Sequence, residues 1–333
     1  MCFEVVLIHF WVDYFPKYLI PFSMLKGVAV PAFMFLSFYL TEKSFSCINN
    51  NKINKRIWRV VYPQIGWAVI YWLAYMVLQV KVNLGITISD LFWQIITGHS
   101  PKLNPTMWFQ TVLIALTIIM FIVFKLLANK KGVVIIMLLT LLSLFIQYSG
   151  INMLLFGSLR YELKYPLGRF VEMIPYASLG YFCAYFNIFR KLRNYQNISI
   201  IIIGILVVFL FKATIIPSAP GFGYSHNNNI LLVPFLVCFM YLLPLDRISS
   251  KAKGIIKIMT SYTLGIYCMH RLVARFLAIL LMAIGWELNS FLLCVIIYIM
   301  SFLISSLMCK LSSTYFRDFR LLLSFVSICG FIR

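Results

Sequence analysis

The sequence predicts an all-α integral membrane protein with about ten transmembrane helices and both termini in the cytoplasm. Three observations carry that expectation. First, 62% of the 333 residues are hydrophobic and only 11% are charged, against about 25% charged in a soluble domain. With a mean hydropathy of +0.93, most of the chain cannot face water. Second, apolar runs of span length recur from end to end, and a span needs about 20 mostly apolar residues. Third, the basic residues, 29 Lys+Arg against 9 Asp+Glu, gather in alternate connections, which is the signature of cytoplasmic loops.

The expected spans centre on residues 2–16, 27–41, 60–80, 107–127, 132–149, 170–187, 198–216, 229–244, 258–281 and 289–309. The first is short, because Pro16 closes it, yet it has neither the basic leader nor the small-residue cleavage site of a signal peptide. The later runs are apolar all round, as in IIIGILVVFLF near residue 201. They lack the alternation of a barrel strand, and in lipid only helices or closed barrels satisfy every backbone group. The connections holding Lys43 to Arg59, Lys125 to Lys131, Arg190 to Arg193, Arg247 to Lys257 and the tail from Lys310 carry 19 of the 29 basic residues. These are the cytoplasmic side, so the net charge of +20 is a topological signal and nucleic acid is not needed to explain it. Residues 1–310 form one membrane domain, and 311–333 a cytoplasmic tail whose apolar stretch is too short to span and lies along the inner interface. The eight cysteines are scattered with no CxxC pair, so buried apolar thiols are expected and no metal site is.

Ionisable residues at membrane depth are costly and mark functional candidates. His9 falls inside the first span and Asp13 one helical turn further on. A buried neutral imidazole can accept a proton, and a carboxylate on the same face can orient it. The same pair also suits a histidine bonded to a neighbouring helix and an aspartate in a solvated loop. His270 lies inside the ninth span beside Arg271 and Arg275, a pair that can bind an anionic or sugar ligand or snorkel to headgroups. His99 and His226 fall in outer loops, where a surface role is expected. Lys55, Arg56 and Arg59 stand where a helix begins. Guanidinium forks there suit phosphate, and the same cluster suits anionic lipid.

Five phrases, in order, resemble the membrane acyltransferase family called acyltransferase type 3. They are VVLIHF with His9, VPAFMFLSFYL from Val30 to Leu40, KRIWRVVYPQIGW, NPTMWFQTVLIAL around Trp108 and Phe109, and GIYCMH ending at His270. The arginine that the family places upstream of the first histidine would fall before Met1, so the expectation is a start further upstream or a truncated chain. The glycine of the family's "SGY" is Phe38 here, so the close helix approach that glycine permits is not expected at that position.

The resemblance implies an O-acyltransferase of the bacterial cytoplasmic membrane. Acyl-CoA, acetyl-CoA in the first instance, approaches from the cytoplasm with its phosphates on Lys55, Arg56 and Arg59. His9, paired with Asp13, acts as general base on a hydroxyl of a cell-surface or lipid-linked polysaccharide, or carries the acyl group briefly itself. Ser37, Tyr39, Trp108, Tyr267 and His270 are the candidates for contacting substrate or the developing oxyanion. A transporter or flippase of a polar lipid or sugar conjugate is the alternative, since many helices with buried His and Arg suit that task as well.

Overall fold

The computed structural model describes residues 28–47, 50–79, 85–149, 151–215, 230–243, 263–285 and 299–308, together with positions 249, 250, 254, 296 and 311. The first expected span, with His9 and Asp13, lies outside these residues, as do His226 and most of the tail. Among the described residues the secondary structure is helical throughout. The helices are α1 (Ala29–Tyr39), α2 (Glu42–Ser46), α3 (Asn50–Gln79), α4 (Ile88–Thr97), α5 (Trp108–Tyr148), α6 (Ile151–Phe156), α7 (Tyr161–Tyr185), α8 (Ile188–Arg193), α9 (Gln196–Ile215), α10 (Leu232–Leu242) and α11 (Thr263–Ala283).

Among the described residues, four stretches are long and apolar enough to cross a membrane: Asn50–Leu78, Trp108–Leu127, Lys130–Tyr148 and Thr263–Leu281. Shorter apolar helices, Ala29–Tyr39, Gln196–Phe209, Leu232–Leu242 and Ile299–Met308, occupy four other expected spans. An 11-residue helix such as α1 rises only about 16 Å, roughly half a hydrocarbon core. The expected span at 170–187 falls largely in α7, a 25-residue helix with prolines at 166 and 175. Many large apolar side chains stay exposed along α5 and α9, among them Ile122, Leu141, Phe145, Ile201, Ile205 and Phe209, as a lipid-facing surface requires.

Helical residues follow one another through all 41 positions of α5, where the sequence predicts two spans with a basic turn between. Its path reconciles the two. A Cβ placed on Gly132 would lie 3.6 Å from the Cα of Phe124, whereas eight residues of straight helix cover about 12 Å. The helix therefore folds back sharply between these positions, and glycine makes the turn possible because any side chain would strike the Phe124 ring.

The chain divides into two compact units. The first takes residues 27–57 and 112–247. Here α1 lies along α7, and α10 lies against α9. An aromatic core fills this unit: Phe38 stacks on Phe45 with centroids 5.8 Å apart, Phe124 meets Tyr181 at 4.8 Å, and Tyr39 meets Phe189 at 4.9 Å. The close approach comes from the facing helix rather than from the family's glycine position. Gly180 of α7 sits against the backbone of Phe35 in α1, so near that a Cβ would lie 2.8 Å from its carbonyl carbon. Phe38 is instead a fully buried core residue.

The second unit includes residues 58–111 and the described part of the chain beyond 248. Tyr71 and Tyr75 of α3 are buried edge to face at 5.8 Å. Helix α4 starts with a capping box, the Asp90 carboxylate accepting from the N–H and hydroxyl of Thr87 at 2.9 Å each. It stops at Gly98, whose φ of +64° and contact with the Met107 carbonyl admit no side chain.

Candidate functional site

Two polar constellations stand out in this apolar protein, one in each unit. In the first unit α2 and the start of α3 bring Arg56 back to α1. The Arg56 Nη2 donates to Ser37 Oγ at 2.6 Å, Nη1 donates to Thr41 Oγ1, and Thr41 Oγ1 donates to the Ser37 carbonyl at 2.6 Å. The guanidinium also lies 5.5 Å from the centre of the Phe38 ring. The planar fork suits this double contact, with one nitrogen aimed at each oxygen. Lys55 and Arg59, its neighbours in the basic cluster, point to solvent. The structure thus joins Arg56 to Ser37, and separates its inward position from the exposed pair beside it. Tyr39, another candidate, is half-buried against Phe189.

In the second unit the phrase GIYCMH is a buried turn of α11. His270 is fully buried. Its Nδ1 lies 2.7 Å from the Tyr267 carbonyl and 3.2 Å from that of Ile266. A carbonyl only accepts, so Nδ1 carries the hydrogen and the lone pair of the neutral ring belongs to Nε2. One rung away, the Tyr71 hydroxyl donates to the Cys268 carbonyl at 2.9 Å and accepts from the Leu272 N–H at 3.0 Å. Those are the two partners of a single i to i+4 rung, and the phenol of α3 bridges them. A side chain entering the helical ladder is a known cause of local distortion, and here it falls beside His270. Tyr267 donates to the Thr106 carbonyl and packs its ring on Phe109 at 6.0 Å and on His270 at 6.2 Å. The expected site residues Tyr267 and His270 are therefore neighbours, and Trp108 meets Phe109, the ring that packs on Tyr267, at 6.4 Å. Arg275 stacks over Tyr75 at 4.7 Å.

The loop from 98 to 107 completes this neighbourhood and corrects one expectation. His99 is not a surface residue: it is 1% exposed, with Nδ1 2.8 Å from the Pro105 carbonyl. The loop is wound inward because Gln94 collects it. The Gln94 Oε1 accepts from the N–H of Ser100 at 3.1 Å and of Asn104 at 3.2 Å. Asn104 Oδ1 accepts from the backbone N–H and hydroxyl of Thr106 at 3.0 and 2.6 Å. Gln64 reaches the Ile95 carbonyl at 2.7 Å and Thr111 Oγ1 at 2.8 Å, and Gln110 Nε2 donates to Cys268 Sγ at 3.0 Å. Sequence reasoning passed over these four carboxamides and Tyr71. Their signal was present: amide side chains within apolar, aromatic-rich stretches need partners inside the fold.

Cys238 and Cys268 are buried thiols, as expected, but Cys47 is exposed. Among the described residues no group of three or more His, Cys, Asp and Glu side chains could hold a metal ion.

A helical protein with span-length apolar helices and buried polar centres of this kind belongs to the class of multi-pass membrane proteins. More particularly, the family model described as an acyltransferase domain, the acyltransferase type 3 family, matches residues 1–310, and the chain belongs to that family. No curated protein and no solved structure matches the chain significantly.

Proposed function

We propose that this protein is an O-acyltransferase of the bacterial cytoplasmic membrane, which moves an acyl group, acetyl in the first instance, from cytoplasmic acyl-CoA to a hydroxyl of a cell-surface or lipid-linked polysaccharide. Family membership over residues 1–310 is the observation that carries the reading. The positive-inside count supports ten spans with both termini on the cytoplasmic side, which puts the basic cluster at the donor's entrance. Lys55 and Arg59 are exposed and suit the coenzyme's phosphates. Arg56, held by Ser37 and Thr41, keeps the cluster's helix in place and has its Nε still unpaired.

In the reaction His9, oriented by Asp13, takes the proton of the acceptor hydroxyl as its oxygen attacks the thioester carbonyl. Negative charge gathers on the thioester oxygen and needs preorganised donors, a role for which Ser37, Tyr39, Trp108, Tyr267 and His270 are the candidates. The C–S bond then breaks, the ester remains on the sugar, and the coenzyme thiolate takes the proton. The test is mass spectrometry of surface glycans from cells with the protein, without it, and with His9→Ala. Loss of one acetyl mass per site in both altered strains is expected. Unchanged ester content with altered glycan export would identify a transporter instead.

A further inference from the structure

Four carboxamides in the second unit are nine-tenths or more buried, and each keeps one polar atom without a partner. These atoms are Gln64 Oε1, Gln94 Nε2, Asn104 Nδ2 and Gln110 Oε1. Their orientations are not arbitrary. Gln94 and Asn104 place their oxygens on backbone N–H groups, so the amino group is the end left over. Gln64 donates to the Ile95 carbonyl, so the oxygen is left over there. A buried polar atom left unsatisfied is destabilising, and native folds hold few of them. Four within one connected network call for something to bind.

The four are linked through short paths. Gln94 binds the Asn104 N–H, Gln64 binds the residue after Gln94, and Gln110 neighbours Thr111, which Gln64 also binds. The open valences are two donors and two acceptors, with no formal charge. A phosphate would need cations, and the charged pair at the loop is committed: Lys102 Nζ lies 3.7 Å from Asp90 and 2.5 Å from the Gly85 carbonyl. A hydroxyl both donates and accepts at one oxygen, so a ring with several hydroxyls matches a mixed, neutral set. Phe109 and Tyr267, packed beside Gln110 and Thr106, supply the apolar surface against which the CH face of a sugar rests.

We propose that Gln64, Gln94, Asn104 and Gln110 form the site that recognises the hydroxyls of an uncharged sugar in the acceptor. This rests on the acyltransferase reading above, and it is strengthened by the charge pattern, which puts the loop at 98–107 on the outer side, opposite the coenzyme.

The test uses the full-length protein in proteoliposomes, acetyl-CoA, and oligosaccharides prepared from the envelope polysaccharide of the producing cells after mild alkali removes its esters. Gln94→Glu and Asn104→Asp keep the oxygen that holds the loop and replace only the unpaired amino group. Each is expected to raise the KM for oligosaccharide about tenfold, equivalent to about 1.4 kcal/mol, while the KM for acetyl-CoA stays at the wild-type value; the buried carboxyl lowers the thermal midpoint without altering that split. A rise in the acetyl-CoA KM alone would mean that the carboxamides hold the amides of the coenzyme's pantetheine arm. No change in either KM would mean that they hold only water. Both results overturn the proposal. If the two variants fail to fold, Gln110→Met removes an unpaired oxygen at the loss of one weak thiol contact and is expected to give the same split. If the wild-type protein transfers no acetyl group, the acyltransferase reading fails, and the sugar site is judged on binding alone. Quenching of tryptophan fluorescence by the oligosaccharides, weakened in Asn104→Asp, then supports it, and absence of quenching in the wild type overturns it.

Discussion

Gly180→Ala is the sharpest structural perturbation the fold offers. The added Cβ would lie 2.8 Å from the Phe35 carbonyl carbon and 3.0 Å from its Cα, and closer still to the carbonyl oxygen, where ordinary contact begins near 3.4 Å. Both sides of this contact are helix backbone, so no rotamer change relieves it; α1 and α7 must separate by more than half an ångström. That displacement loosens the aromatic packing of Phe35 on Phe189 and of Phe45 on Tyr181. Overpacking of this kind costs about 1–3 kcal/mol, and occasionally more. Gly168 provides the control in the same helix, since a Cβ there meets nothing within 4 Å. Gly168→Ala removes a poor helix former and should be neutral or stabilising by up to about 1 kcal/mol. Thermal unfolding of the purified protein in detergent, followed by tryptophan fluorescence, distinguishes the two. A midpoint lowered by several degrees for Gly180→Ala alone is expected. Equal midpoints for the two variants would refute the argument that backbone contact between α1 and α7 organises the first unit.

Two further outcomes follow from the polar constellations. Arg56→Lys should lose much of what Arg56→Ala loses, about 1.5–3 kcal/mol by denaturant titration, because the ammonium lacks the two-nitrogen fork that meets Ser37 and Thr41 and the plane that lies against Phe38. The double variant Lys55→Ala with Arg59→Ala should leave that stability unchanged and raise the KM for acetyl-CoA, most strongly at low salt. Tyr71→Phe removes the hydroxyl bridging Leu272 and Cys268 and should cost about 1–3 kcal/mol. It should also lower kcat with little effect on acetyl-CoA binding, since the bridge shapes the turn that carries His270. A variant as stable and as active as the wild type would show that the bridged rung is incidental.

How much of this was legible beforehand differs between helices and site. The length of the apolar runs exposed the membrane helices, because lipid admits only helices or closed barrels and these runs lack a barrel strand's alternation. Even the turn inside α5, invisible as a break in helical structure, was marked by Lys125, Lys130, Lys131 and Gly132. The lengths were less legible: α1 and α10 are only 11 residues each, and hydropathy cannot tell a full span from a shorter buried helix. Within the candidate site, His270 drew attention because an ionisable residue at membrane depth is conspicuous, and Arg56 because it stands in a basic cluster where a helix begins. Neutral amides carry no such flag. Gln110 stands in an otherwise apolar helix start, and its burial beside Cys268 shows the polar centre there. His99 was misjudged because a loop was equated with the surface, whereas Gln94 draws this loop inward by its backbone.

The measurement that tests the central claim most directly is acyl transfer by the purified full-length protein in proteoliposomes. Radiolabelled acetyl-CoA is supplied to the basic face, and de-esterified envelope oligosaccharide to the other. The account predicts alkali-labile label in the glycan, dependent on His9 and on both substrates. Glycan that crosses the bilayer without acquiring label, or label that never leaves the coenzyme, would contradict it.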